Sequence, residues 1–275
     1  MTISADVLHG ARFNVREFAR TARGNHRAEL DLSSFVNAPL QPDILNLVRY
    51  LGRLESATME HLRNLLVTAT HKDARVTAFL VTWAFEKFWI ADALDAVLEA
   101  NNVPRAQDVP EGKPRHTIKE SNERRGPIRR AVAAIGLGVP IIAVHTTTGL
   151  IDEWIMTTSY ERLATASKSP ALASTIAIIL DVKKRHAAFF ADDSRRRLAG
   201  SRRAVRQTRA ALMHAVWPIG AVDRAAGDRD LFEEFVFAGE AGKARIAAIA
   251  KRVSELPGLD ERIAAVVAGR LRLAQ

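Results

Sequence analysis

Four stretches of helical periodicity each put a charged group on the stripe that should face a core. Glu55 falls among Leu47, Leu51, Thr58, Leu62 and Leu65, and Glu86 or its neighbour Lys87 falls among Val76, Leu80, Trp83, Ile90 and Leu94. Glu153 shares a face with Ile142, His145, Gly149, Met156, Tyr160 and Leu163, while Lys183 and His186 interrupt Leu172, Ile176, Ile179 and Phe190. A buried charge costs several kcal/mol unless it is paired or ligates a metal. Three carboxylates and an imidazole are a donor set for a hard cation. A lysine among them brings a cation of its own and can neutralise the same carboxylates without metal.

The elements that would position these groups are all helical. The chain has 275 residues, no cysteine and a net charge of +9. Disulfides, thiolate metal sites and cysteine nucleophiles are therefore excluded, and a cytoplasmic location is the expectation. Residues 1–30 are mixed and Arg-rich, so no secretory signal is expected there. The apolar run from Ala131 to Ile151 is interrupted by Pro140, His145 and three threonines, and reads as a buried helix rather than a membrane span.

Residues 1–38 show no sustained period and are expected to form a strap with a short helix. Helical stretches are predicted over 43–69 and 73–101, the second ending at Asn101, Asn102 and Pro104. A polar connector over 103–126, with KESNERRG in it, is long enough to cross the end of a bundle. A third stretch begins near Pro127, kinks around Gly138 and Pro140, and runs to about Ser167. Ser169–Pro170 opens the fourth, and a basic helical pattern continues over 194–217. Two helices, about 228–254 and 258–273, follow on either side of Leu256–Pro257–Gly258. The expected organisation is an N-terminal strap (1–38), a helical bundle (39–218) and a C-terminal helical appendage packed on it (219–275).

This pattern resembles the ferritin-like superfamily, the fold of di-iron carboxylate oxidases and acyl-carrier-protein desaturases. In that family the first and third helices of a four-helix bundle give one Glu each, and the second and fourth give Glu-x-x-His each, because residues three apart share a helix face. Glu55 and Glu153 stand at the single-Glu positions. Glu86-Lys87-Phe88-Trp89 stands at the first Glu-x-x-His, with Trp89 in place of His. Lys183-Lys184-Arg185-His186 stands at the second, with Lys183 in place of Glu. Tyr160 lies one heptad beyond Glu153. The resemblance spans roughly residues 40–200 and implies an all-α, ferritin-like bundle with a long crossover connection and extra N- and C-terminal helices.

Trp89 has no lone pair for a metal. The leading expectation is therefore a degenerate di-iron site, a cluster of Glu55, Glu86, Glu153, Lys183 and His186 flanked by Trp89, His145, Tyr160 and Arg185, with no cofactor. Such a protein would be a binding or scaffold component for a protein or an apolar small molecule, as a monomer or homodimer, or an enzyme of atypical chemistry. The alternative is an oxidoreductase using one iron or manganese ion at Glu55, Glu86, Glu153 and His186. Plainer readings put Glu55 at a helix edge, pair Glu86 outward with Lys87, and make His186 an ordinary core histidine.

A second feature is the basic stretch holding Arg195, Arg196, Arg197, Arg202, Arg203, Arg206 and Arg209. Arginine at this density suits phosphate contacts, so a third reading is a basic protein that engages nucleic acid or anionic lipid, weakly and without sequence preference. No aromatic stacking platform accompanies it. A seam of ion pairs with Asp192, Asp193, Glu233 and Glu234 is the competing expectation. Glycine-rich nucleotide loops and the His-Glu-x-x-His metalloprotease pattern are absent from the sequence.

Overall fold

The computed structural model describes residues 12–106, 138–221 and 226–271. Among these residues all regular structure is helical, as the periodicity predicts. The predicted start of the third helix near Pro127, the crossing connector beyond Ala106 and the ends of the chain lie outside them.

Helix α1 (Val15–Arg20) and α2 (Leu32–Asn37) form the N-terminal strap, followed by α3 (Pro42–Ser56) and α4 (Thr58–Leu66). The long helices α5 (Ala74–Ala100), α6 (Ile141–Ser167) and α7 (Pro170–Gly200) come next. Then follow α8 (Arg202–Leu212), α9 (Ala226–Phe237), α10 (Gly239–Ser254) and α11 (Glu261–Arg270). The helix expected over 43–69 is two helices, because the chain turns at Ala57. The basic pattern after 194 breaks at Ser201, whose side chain caps α8 through the Ala204 N–H at 3.2 Å. The stretch expected over 228–254 divides at Ala238, where Gly239 adopts φ +67°.

Local chemistry sets the ends of the helices that carry the charged groups. Pro42 opens α3 and Pro170 opens α7 at positions where a missing N–H costs nothing. Asp73 caps α5 by accepting from Val76 N at 3.1 Å, and Ser169 caps α7 by accepting from Leu172 N at 3.3 Å. Lys168, at φ +52°, turns the chain sharply between α6 and α7, so these two pack side by side along their length.

Helix α3 packs on α5, and the pairs are joined through α5 on α7 and α3 on α6. Helices α5 and α6 bury residues around most of their circumference, which requires cover on every side. The strap helices α1 and α2 supply part of that cover on α5, and α8, α9 and α10 supply it on α6. One apolar core runs without interruption from Phe18 to Leu271, so the C-terminal helices share it.

A close approach of α6 and α7 falls at Gly149, where a Cβ would lie 2.8 Å from Phe190 Cε1. Phe190 cannot retreat, because it is 2% exposed and packs edge-on against Phe79 and Trp83. Gly149→Ala should therefore destabilise the protein by about 1–2 kcal/mol in denaturant titrations, overpacking outweighing the gain in helix propensity. Adding Phe190→Leu should remove part of that loss, a coupling a double-mutant cycle would read directly.

Candidate functional site

Helices α3, α5, α6 and α7 bring their charged groups to one place. Glu55, Glu86, Glu153, Lys183 and His186 are all fully buried, with Lys87 at 4% exposure beside them. At the centre Lys183 Nζ donates to Glu55 Oε1 at 3.1 Å and lies 3.0 Å from Glu153 Oε2. Lys87 Nζ stands 2.9 Å from the other Glu55 oxygen, a charge contact rather than an aligned hydrogen bond. Two ammonium groups thus hold one carboxylate from opposite oxygens. Tyr160 adds its hydroxyl to Glu55 Oε1 at 3.0 Å, and Trp83 donates its indole N–H to Glu153 Oε1 at 3.1 Å.

His186 forms the link to a second carboxylate. Its Nε2 lies 2.8 Å from Glu86 Oε2, and its Nδ1 lies 3.5 Å from Glu153 Oε1, too far for a strong bond. The other Glu86 oxygen accepts the Arg23 backbone N–H at 2.7 Å and faces the Arg185 guanidinium at 3.3 Å. Arg185 also donates to the Phe18 and Thr21 carbonyls, so the strap is pinned to α7 directly above the cluster. Phe18 then packs edge-on to His186 and stacks on Phe79, which stacks in turn on Phe189. This aromatic group separates one end of the cluster from water.

Burial alone would raise the carboxyls and lower the amine, yet the pairing wins. Burial pushes Glu55 up, but Lys183 and then Lys87 bring it below its ordinary value. Glu153, buried likewise, is held well below by Lys183 and the His186 contact. Lys183 is raised, since Glu153 and Glu55 outweigh its desolvation. Tyr160 is pushed well above the usual phenol range by burial and by Glu55, so it stays a donor.

The structure places the sequence-derived candidates unevenly. Tyr160 and Arg185 touch the cluster. Trp89 does not, because it packs against Phe85 and Phe88, and its indole N–H has no partner among the described residues. His145 bonds Thr70 at 2.8 Å, in the turn before α5, rather than Glu153. Glu86 does not turn outward to Lys87, which instead reaches inward to Glu55.

Sequence reasoning missed three groups: Lys87 as a second buried cation, Trp83 as a donor, and Asp152. Asp152 is buried and accepts the Ile219 N–H at 2.7 Å; burial raises it to about 6 against the opposing pull of Lys87. A signal for Lys87 and Trp83 was present, since i, i+4 spacing puts both on the stripe facing α3 and α6.

The arginine-rich stretch is dispersed. Arg196 and Arg197 pair with Asp193, Arg197 also with Asp73, and Arg209 with Asp260 ahead of α11. Arg75 from α5 closes the same network at Asp192 (2.8 Å) and Asp193 (3.0 Å), whereas Glu233 pairs with Arg229. Arg202, Arg203 and Arg206 lie on the exposed side of α8. No family model, curated protein or solved structure matches this chain. Among the described residues no helix is long and apolar enough to cross a membrane.

Two expected outcomes test this description. Lys183→Met should cost about 3–5 kcal/mol at neutral pH, because it leaves two buried carboxylates short of a cation. Their pKa values would then rise, so the deficit against wild type should shrink as pH falls. A variant as stable as wild type at pH 7 in urea titrations would remove Lys183 from the cluster.

The second concerns His61, lowered by burial and Lys87, and His145, lowered by burial and His61, each from 6.5 to about 4. Below pH 6.5 the unfolded chain takes up protons that the folded chain refuses, so their contribution is lost as pH falls towards 4. Asp152 acts oppositely, its contribution being lost as pH rises from 3.8 through about 6. The double variant His61→Gln, His145→Gln should therefore lose less stability than wild type between pH 6.5 and 4.

Proposed function

We propose that this protein is a ferritin-like helical bundle whose buried site works without metal, and that it acts as a binding or scaffold component rather than as an oxidase. The reading rests on Lys183, whose ammonium group contacts Glu55 and Glu153 together. A cation bridging carboxylates from the first and third helices of the set is the place a metal pair would take in the family resembled. The arrangement of α3, α5, α6 and α7 around one buried cluster supports the kinship.

The donor set does not suit two irons. Glu55 faces two ammonium groups, Glu153 faces Lys183 and the Trp83 N–H, and Glu86 is shared by His186, Arg185 and a backbone N–H. Each carboxylate thus already holds the positive charge that a metal would otherwise supply. Trp89, at the position of a ligand histidine, contributes no lone pair. What the network does is hold four helices in one register, since the paired atoms come from each of them.

The binding role is supported by α5, which turns Val81, Phe85 and Phe88 to solvent at 53%, 47% and 56% exposure. Apolar side chains spaced along one helix face are what a partner surface would cover.

Elemental analysis of protein purified from cells supplied with iron and manganese should find well under one equivalent of either metal. Its melting temperature should not move on dialysis against a chelator. Lys183→Glu, which replaces the central cation with a carboxylate, should increase metal uptake. Two metals per wild-type chain, with the magnetic signature of a coupled pair, would overturn the reading.

A further inference from the structure

A groove of about 500 Å³ lies on the outer side of α6 and α7, where α10 crosses them. It is distinct from the buried cluster, sharing none of its residues and using a neighbouring stripe of α7. Its floor is apolar: Trp154 from α6, with Leu180, Ala187, Ala188 and Ala191 from α7. The alanines recur at spacings of one, three and four residues, so α7 presents a shallow trough where larger side chains would have filled the space.

The rim is charged, and unevenly so. Lys184, Arg195 and Arg252 line it against Glu161 and Glu255. Arg252 lies over the Trp154 indole, its guanidinium carbon 4.2 Å from the ring centroid. That cation–π contact holds the charge against the apolar floor of the groove. Burial and the like charge of Arg195 lower the Arg252 pKa against the opposing pull of Glu255 and Glu161. Neither Lys184 nor Arg195 has an ion pair among the described residues. The three cations outnumber the two carboxylates of the rim, so the groove keeps an excess of positive charge that attracts an anion.

We propose that this groove binds a free single-chain amphiphile with an anionic head, the carboxylate or phosphate lying between Arg195 and Arg252 and the apolar chain along the alanine trough. The size falls within the range of small-molecule sites, and the combination of an apolar floor with few convergent polar groups is their usual make-up. The arginine pair selects against cationic heads, and the trough selects against anions lacking an apolar chain.

Isothermal titration calorimetry of the full chain with monomeric dodecanoate tests this, with dodecyltrimethylammonium and inorganic phosphate as comparisons. Dodecanoate should bind at one site, and both comparisons should bind far more weakly. Arg195→Gln should weaken dodecanoate binding about tenfold or more, the size expected for a lost charge-assisted contact. Ala188→Phe fills the trough from an exposed position and should abolish binding while leaving the melting temperature unchanged. That variant keeps the test valid if Arg195→Gln perturbs the packing of the groove wall. Equal binding of the cationic amphiphile, equal binding of phosphate, or undiminished binding in both variants would overturn the proposal. So would flotation with anionic phospholipid vesicles by a protein that ignores free dodecanoate, since the groove would then serve a membrane surface.

Discussion

The interior of this protein is organised by one lysine. Lys183 is fully buried, and its two glutamate partners are what chiefly make that burial tolerable. An ammonium group moved from water into an apolar interior loses several kcal/mol of hydration, more than one ordinary hydrogen bond returns. Glu55 and Glu153 return it jointly, and they in turn need Lys87, Tyr160 and Trp83 for their remaining oxygen capacity. The four contributing helices are therefore constrained by direction as well as by contact. Apolar side chains would tolerate small shifts of one helix along another, whereas a cation shared by two carboxylates tolerates few.

The same constraint explains why the surrounding structure is so aromatic. Charges in a region of low dielectric attract each other strongly only while water is kept out. Phe18, Phe79, Phe189 and Phe190 pack ring on ring at one end, with Phe13 edge-on to three of them. The strap residue Arg23 gives its backbone N–H to Glu86, and Arg185 holds strap carbonyls from α7. Cover and charge are therefore interdependent, because the strap that excludes water also satisfies one of the carboxylates it encloses.

Much of this was legible in the residue order, and the failures have physical causes. Periodicity placed α5, α6 and α7 well, because apolar residues repeat over many turns and caps such as Asp73 and Ser169 mark the starts. It joined α3 to α4 because Ala57 is a good helix former and nothing local announces the turn there. It set Glu55, Glu86, Glu153, Lys183 and His186 on inward stripes, where the structure brings them together. It did not assign Lys87 a partner, since a lysine next to a glutamate reads as a solvated pair until the third dimension is known. Trp89 was weighed as part of the site by its offset from Glu86, but at about 100° per residue it falls on the side of Glu86 away from Trp83 and Lys87, which reach the cluster. The ion pairs of Arg196, Arg197 and Arg209 depend on contacts across the fold, which spacing alone does not encode.

Asp152 carries a consequence of another kind. Its carboxyl, next in sequence to Glu153 and buried beside the ion network, accepts the Ile219 N–H in the segment that leads from α8 towards α9. The chain leaves the central helices for the C-terminal ones through a point tied to the most highly charged part of the interior. Separation of the C-terminal helices would strip a buried carboxyl of its backbone donor and open the apolar contacts around it. Core and C-terminal helices are consequently expected to unfold as one cooperative unit. The amides of α6 near Asp152 and those around Ile219 should then fall in the same exchange-protected class, although α10 and α11 lie at the periphery.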